Sequence, residues 1–111
     1  MGTQTGGYLS AAEHSEFKLY AESLNISVSS LASLLVLREM SGCRIADLMA
    51  CFDMSPPSGK RNRVTVHHRD SSQKAGFEAH CHEAGVAPDR AAAVLFRAEL
   101  KERWLSSCVV D

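Results

Sequence analysis

The sequence predicts a mainly α-helical domain in which a strand, a helix, a tight turn and a second helix occur twice along one chain. Three observations lead to this prediction. Two helix-start patterns, Ser10-x-x-Glu13 and Asp70-x-x-Gln73, lie sixty residues apart. Each pattern is followed by apolar residues at helical spacing. A short stretch typical of a strand precedes each of them, and we therefore expect two copies of one unit around a shared core.

Length and composition agree with a single globular domain. The chain has 111 residues, of which 45% are hydrophobic, which is sufficient for a core without disulfides. Its 4 cysteines include no C-x-x-C pair, and no signal-peptide pattern stands at the N-terminus, so we expect a reduced, cytoplasmic protein. No apolar run approaches the roughly eighteen residues that cross a bilayer, and no membrane role is expected.

The first unit begins with an expected strand at Thr3–Leu9. Ser10 and Glu13 form a capping box, in which each side chain accepts a hydrogen bond from the backbone N–H of the other residue. The box predicts a helix over about Ala11–Leu24, ended by Asn25, which tolerates the left-handed conformation. Ser27 is expected to cap a second helix over about Val28–Met40, with Gly42 as its terminator. Residues 45–52 are predicted to form one further short helix.

In the second unit, the same order predicts a strand at Val64–His68 and helices at about Ser71–Ala84 and Pro88–Trp104. Pro88 suits the first helical position, where the backbone N–H has no partner within the helix. Further matches at the same interval are Phe77 with Phe17, Gly85 with Asn25, Ala92 with Ala32, Leu95 with Leu35 and Glu99 with Glu39. Expected in the core are Phe17, Phe77, Leu95 and Trp104. The expected division is residues 1–41, a connecting segment at 42–62 with the short helix and a basic linker, and residues 63–111.

The connecting segment ends in a concentration of positive charge. Pro56, Pro57 and Gly59 predict a break in regular structure. Between Pro56 and Ala75 there are five cations and one carboxylate, although the whole chain has a net charge of -1. A local basic patch on a nearly neutral chain indicates a directed contact with an anion. The alternative is a solvated linker that happens to be basic.

Two stretches carry a resemblance to a known family. Arg63-Val64-Thr65-Val66-His67 precedes a helix cap, and "YAESLNISVSSLASLL" (Tyr20–Leu35) is similar to the helix-turn-helix segment of plasmid-encoded ribbon-helix-helix proteins. The resemblance implies a tandem ribbon-helix-helix pseudo-dimer in one chain, with a two-stranded antiparallel ribbon over four helices. Such a ribbon enters the major groove of DNA. Members of the family include repressors, antitoxins and relaxosome accessory proteins that bind a transfer origin and help the relaxase.

The alternation of the strands predicts which side chains face outward. In the second strand these are Arg63, Thr65 and His67, with Val64, Val66 and His68 inward; in the first they are Gln4, Gly6 and Tyr8, with Thr5, Gly7 and Leu9 inward. Arg63 suits guanine and Gln4 suits adenine, each through two hydrogen bonds. Since the two strands differ chemically, we expect an asymmetric DNA site. Arg69 is one residue more than this register needs, which leaves the facing of His67 and His68 open.

The resemblance also implies phosphate binding at the start of each second helix. Ser27, Ser29 and Ser30 suit this role in the first unit. In the second unit Pro88 lacks an N–H and Asp89 repels phosphate, and Lys60, Arg61 and Arg90 are candidate replacements. The expected DNA-binding residues are Gln4, Tyr8, Ser27, Ser29, Ser30, Lys60, Arg61, Arg63, Thr65, His67 and Arg69. The expected partners are double-stranded DNA, a relaxase or other transfer protein, and further copies of the chain on DNA.

The sequence gives less support to a metal site, to reactive cysteines or to an enzyme. His80-Cys81-His82, together with His67 and His68, lacks the spacing of a four-ligand metal site, so we expect a partly buried helix face with solvated imidazoles, no metal and no cofactor. Cys51 and Cys81 are expected to fill small gaps in the core. No glycine-rich phosphate loop and no G-x-S-x-G motif is present, and no enzyme is expected.

A protein-interaction module that does not read DNA is the alternative function. Gly6 and Gly7 favour this alternative, because glycines weaken strand pairing and offer no side chain to the groove. The segment Cys43–Asp53 or the acidic helices would then bind the partner.

Overall fold

The computed structural model describes residues 2–52 and 59–109, and it is mainly helical, as predicted. In chain order the elements are β1 (Gln4–Leu9), α1 (Ala11–Ser23), α2 (Val28–Gly42), α3 (Ile45–Cys51), β2 (Asn62–His67), α4 (Ser71–Glu83), α5 (Pro88–Glu102) and α6 (Trp104–Val109). Helices α4 and α5 have the bounds of α1 and α2 displaced by sixty residues. The two proline positions predicted to form a loop, Pro56 and Pro57, lie outside the described residues.

The two strands form an antiparallel sheet. Gln4 lies opposite His67, Gly6 opposite Thr65 and Leu9 opposite Asn62. One side of the sheet is buried and the other is open, and the predicted facing of every strand residue is confirmed: the buried residues are Thr5, Gly7, Leu9, Val64 and Val66. Strand β2 begins two residues earlier than expected.

The position of His68 shows which of the two adjacent histidines, His67 and His68, faces inward. It follows β2, is only 5% exposed, and its Nε2 lies 2.8 Å from the Thr5 hydroxyl. Its ring centroid is 5.8 Å from that of Phe77. His67, by contrast, is exposed. The alternation therefore continues through His68, and Arg69 is the extra residue before the helix cap.

The predicted helix ends are largely confirmed. Ser10 and Glu13 form both bonds of the capping box, at 3.0 and 3.2 Å. Asp70 accepts from the Gln73 N–H at 2.9 Å, but the Gln73 side chain accepts from the N–H of Arg69. The second box is thus shifted by one residue, because Arg69 has been inserted before the cap. Asn25 is left-handed (φ 60), as predicted, and so is Gly85 (φ 78), the residue matched to it sixty positions later.

Helices α2 and α5 end in the same manner. The first residue after each helix, Cys43 or Arg103, is left-handed, with φ of 53 and 55. Helix α2 does end at Gly42, although this glycine is not the left-handed residue. The expected helix Pro88–Trp104 stops at Glu102, and Trp104 starts α6, which the sequence did not predict. Trp104 is half-buried instead of part of the buried core, with the Arg38 guanidinium 4.1 Å from its ring centroid.

The first turns of α3 and α6 are each hydrogen-bonded to a buried glutamate. Glu39 accepts from the Ile45 N–H at 2.9 Å, and Glu99 accepts from the Leu105 N–H at 2.7 Å. Both carboxylates are almost fully buried, at 2% and 1% exposure. Ile45 and Leu105 are again sixty residues apart. The sixty-residue spacing that relates α1 to α4 and α2 to α5 is therefore found again between these bonds of α3 and α6.

The same glutamates connect the two units. The Tyr20 hydroxyl of α1 donates to Glu99 of α5 at 2.5 Å, and the His80 ring of α4 lies 2.6 Å from Glu39 of α2. Burial and the bond to Glu99 raise the pKa of Tyr20 to about 12. Each unit thus supplies a polar partner to a carboxylate buried in the other.

Phe17, Phe77 and Leu95 lie in the core, as predicted. Cys81 is buried, also as predicted, and burial raises the pKa of its thiol to about 12. Cys51 is exposed, so its predicted core position is wrong. The reason is the helical period: Ile45 and Leu48 form the buried side of α3, and Phe52 is the residue that continues it.

His68 should make stability dependent on pH. Burial lowers the pKa of its imidazole, and the charge of Lys74 lowers it further. An unfolded histidine has a pKa of about 6.5, so the unfolded chain binds more protons than the folded chain as pH falls below that value. We expect the free energy of unfolding to fall from about pH 6.5 downward, until the pH has passed the lower pKa of the folded state.

The measurement is urea unfolding at about pH 7.5 and about pH 5.5, on either side of the unfolded histidine pKa. His68→Gln should reduce the loss between these two conditions. His82→Gln changes an exposed imidazole and is the control. An unchanged pH dependence in His68→Gln would contradict the assignment.

Candidate nucleic-acid interface

The open side of the sheet, which we call the outer face, consists of six positions. They are the directly opposed pairs Gln4 and His67, Gly6 and Thr65, and Tyr8 and Arg63. All six are exposed or half-exposed, while the opposite side of both strands is buried. Five of the predicted DNA-binding residues are therefore brought together on one surface: Gln4, Tyr8, Arg63, Thr65 and His67.

Arg63 lies across the outer face. Its Nε is 3.4 Å from the Thr65 hydroxyl, and its Nη1 is 3.5 Å from the Tyr8 hydroxyl. A Cβ atom placed on Gly6 would stand 2.6 Å from the Arg63 Cζ. The guanidinium therefore lies over Gly6, and this glycine provides the space that the arginine head occupies.

Gly7 has the corresponding role on the buried side. A Cβ atom on Gly7 would stand 2.5 Å from the Phe96 ring and 3.1 Å from the Ala93 backbone nitrogen. The absence of a side chain thus allows α5 to pack directly on β1. The two glycines that weaken the strand as a sequence pattern each accommodate a neighbour in the fold.

The start of α2 lies beside one end of the outer face. Ser27 accepts from the Ser30 N–H at 3.0 Å, which confirms it as the cap. Ser29 and Ser30 line a shallow depression that also includes His67 and Leu34. The predicted phosphate-binding serines and the predicted base-reading strand are thus neighbours.

Ser33 fixes this arrangement and was not predicted. Its hydroxyl accepts from the His67 N–H at 3.1 Å and donates to the His67 carbonyl at 3.3 Å. The serine therefore holds the end of β2 against α2. Its spacing of three residues from Ser30 was the available signal, because residues three apart share one side of a helix.

The start of α5 differs from that of α2. Pro88 is its first residue, Ala87 provides no side-chain cap, and Asp89 lies in the first turn. This end therefore lacks one N–H and carries a negative charge. Arg90 is exposed in the same turn.

Exposed cations border β2 at both ends. Lys60 and Arg61 precede the strand, and Arg69 follows His68. The Arg69 Nε is 3.2 Å from Asp70, so part of its charge is already paired. Lys60 and Arg61 are the predicted phosphate contacts at the Arg63 end of the strand.

The histidines do not form a metal site in the described part of the chain, where no group of three or more His, Cys, Asp and Glu residues is arranged to hold a metal ion. His80 is bound to Glu39 and is only 17% exposed, so the expectation of a solvated imidazole is wrong for it. It faces α2 because the fold pairs α4 with that helix. His82, on the other side of α4, is exposed.

Among the described residues, no single helix is both long and apolar enough to span a membrane. Helices α1 and α2 pass such a test only when joined, and they are bent by 91° from each other.

Comparison of the chain with protein-family models, with curated proteins and with solved structures gives no match in any of the three. The outer face and its surroundings are therefore the features from which a function is inferred.

Proposed function

We propose that the protein is a sequence-specific double-stranded DNA-binding protein that reads the major groove with the outer face. The single observation that carries the proposal is the composition of this face. Arg63, Gln4 and Thr65, which have the side chains that recognise base edges, project together from a narrow sheet bordered by cations. A β-ribbon of two strands has the dimensions of the groove.

The helices make such a ribbon stable. An isolated two-stranded sheet is marginal in water, because it lacks a layer against which to bury one side. Here α5 packs on β1 and α2 packs on β2, and the two units are joined through Glu39 and Glu99. We infer a tandem ribbon-helix-helix arrangement within one chain, which avoids the entropic cost of association.

Phosphate contacts are proposed at both ends of the ribbon, and the groups that would make them differ between the two ends. The start of α2 offers backbone N–H groups and the hydroxyls of Ser29 and Ser30. At the other end, Lys60 and Arg61 supply positive charge without a helix start. An asymmetric DNA site follows from this difference, as it does from the difference between Gln4 and Arg63.

A transfer-origin protein of a plasmid relaxosome or a transcriptional repressor, acting in the cytoplasm, is the proposed biological role. The resemblance of Tyr20–Leu35 to plasmid-encoded proteins supports it. A relaxase and further copies of this chain on DNA are the proposed partners. A gel-shift assay with DNA from upstream of the gene, compared with a transfer origin, distinguishes the two roles.

A protein-docking function is the second candidate. It is favoured by the exposed apolar residues Leu34, Leu37 and Met40, which lie three residues apart along α2. Soluble domains expose single apolar residues routinely, whereas a row of them on one helix is typical of contact surfaces. Binding of a partner by this row does not require the outer face.

We expect DNA affinity to fall steeply with salt. Lys60 and Arg61 would displace condensed counterions from phosphates, and each neutralised phosphate contributes about −0.9 to the slope of log affinity against log salt. Fluorescence anisotropy with a short labelled duplex measures the slope. Lys60→Ala should reduce its magnitude by about one. Lys18→Ala, an exposed cation on α1, is the control, and a wild-type slope near zero would contradict the proposal.

A further inference from the structure

We propose that Gly6 is a positioning residue for base recognition: it seats the Arg63 guanidinium at the centre of the ribbon, so that Arg63 contacts a guanine in the middle of the bound sequence. The inference rests on the proposed function and specifies the base and its place. It also gives the glycine of the outer face a role that its lack of a side chain makes possible.

The geometry places the arginine head away from its own backbone position. Gly6 and Thr65 form the middle pair of the outer face, whereas Arg63 belongs to the end pair with Tyr8. The Arg63 side chain nevertheless returns toward the middle. Its Cζ, Nε and Nη1 would stand 2.6, 2.8 and 3.0 Å from a Cβ atom on Gly6.

Only glycine permits this position. A Cβ atom at residue 6 would overlap the guanidinium, since carbon and nitrogen atoms in van der Waals contact are about 3.5 Å apart. The Thr65 and Tyr8 hydroxyls stand on either side of the head at 3.4 and 3.5 Å. These contacts are long for hydrogen bonds, so they guide the guanidinium and leave its donors available for a base.

The other strand cannot place a side chain in the same way. In the sheet, Gln4 stands two residues before the middle position of β1, as Arg63 does in β2. The middle residue of β2 is Thr65. Unlike Gly6, the middle residue of β1, it has a side chain, so no open space remains above it for the Gln4 side chain. The centre is therefore reserved for Arg63. Bidentate binding by arginine to the O6 and N7 atoms of guanine is the contact that this placement offers.

Gly6→Ala tests the inference in the full-length chain. Arg63 is exposed, so the new methyl group displaces a flexible head and not the backbone, and thermal unfolding should be unchanged. Affinity is measured on a set of duplexes in which each base pair of the preferred site is replaced in turn. For the wild type, replacing the central guanine should weaken binding by about tenfold to a hundredfold.

In Gly6→Ala, replacing the central guanine should weaken binding by less than about threefold, with random-sequence affinity and the salt slope retained. The double variant with Arg63→Ala should equal Arg63→Ala alone, because the glycine acts only through the arginine. Gly2→Ala adds a methyl group at an exposed position and is the matched control; nothing stands nearer to its Cβ than the Lys74 Nζ at 3.7 Å. In the free protein, the NMR signal of the Arg63 Nε–H should shift in Gly6→Ala and not in Gly2→Ala.

Three results would overturn the inference. A full central preference in Gly6→Ala, or an unmoved Arg63 signal, would show that the glycine does not position the arginine. A wild-type guanine preference located only toward one end of the site would reject the central placement while leaving DNA binding intact. No binding of any DNA by the wild type would reject both the inference and the proposed function.

Discussion

Replacing Glu39 with alanine is expected to lower the free energy of unfolding by about 3–5 kcal/mol, because several hydrogen-bond partners lose their acceptor at a cost of about 1–3 kcal/mol for each buried group. The carboxylate accepts from the N–H groups of Arg44 and Ile45, both at 2.9 Å, and lies 2.6 Å from the His80 ring. Its removal leaves these partners without an acceptor in a region where Glu39 itself is only 2% exposed. Without this carboxylate, the start of α3 loses its hydrogen bonds to α2, and His80 of α4 loses its partner on α2.

Urea unfolding measures this cost. Glu22→Ala removes a carboxylate from the exposed side of α1 and is the matched control, with an expected change within about 0.5 kcal/mol. Glu39→Gln keeps the size and one acceptor oxygen, and its cost should lie between the two. Equal stabilities for Glu39→Ala and Glu22→Ala would contradict the role of Glu39 as a connection between the units.

Gly7→Ala is expected to destabilise the fold by about 3 kcal/mol, at the upper end of the range for overpacking. The added methyl group would stand 2.5 Å from the Phe96 ring, which is fully buried, and 3.1 Å from the backbone of Ala93. Neither neighbour can move without opening the contact between β1 and α5. Gly6→Ala adds the same methyl group to the other side of the same strand, and the three atoms nearest to it all belong to the movable head of Arg63.

The comparison of these two variants by thermal unfolding separates packing from positioning. Gly7→Ala should lower the midpoint by about 10–20 °C, in proportion to its cost at this chain length, while Gly6→Ala should not. If the midpoint fell equally in both variants, the two glycines would be needed for the conformation of the strand, and not for their separate contacts with Phe96 and Arg63.

Local signals account for the parts of the fold that the sequence predicted. The bonds of Ser10 with Glu13, and of Ser27 with Ser30, link residues three apart, so a short pattern is sufficient to predict them. The alternation of β2 similarly predicted that Arg63 and Thr65 face outward, because the strand period alone decides it. The extra residue Arg69 was apparent from the sequence. That the Gln73 side chain would bond to the N–H of Arg69, and not to that of Asp70, was not.

Contacts between distant segments account for the rest. His80 was expected to be solvated because nothing near it in the chain indicates Glu39, which lies forty-one residues away. The position of the Arg63 head over Gly6 depends on the pairing of two strands that are far apart in sequence. Helix α6 also has a distant partner, because the N–H of its Ser106 donates to the Tyr20 hydroxyl, eighty-six residues away in the chain. In each case the determining partner becomes a neighbour only in the folded chain.

The most direct test of DNA reading by the outer face compares Arg63→Ala and Lys60→Ala on a preferred site and on random DNA. Arg63 is exposed on the outer face. If this face reads base edges as proposed, the loss of Arg63 should cost about 1–3 kcal/mol on the preferred site and much less on random DNA. Lys60 precedes β2 and is proposed to contact the sugar-phosphate backbone, so its loss should weaken binding to both DNAs about equally. Equal losses for Arg63→Ala on the two DNAs would contradict the account, because a basic surface attracted to any polyanion would behave in that way.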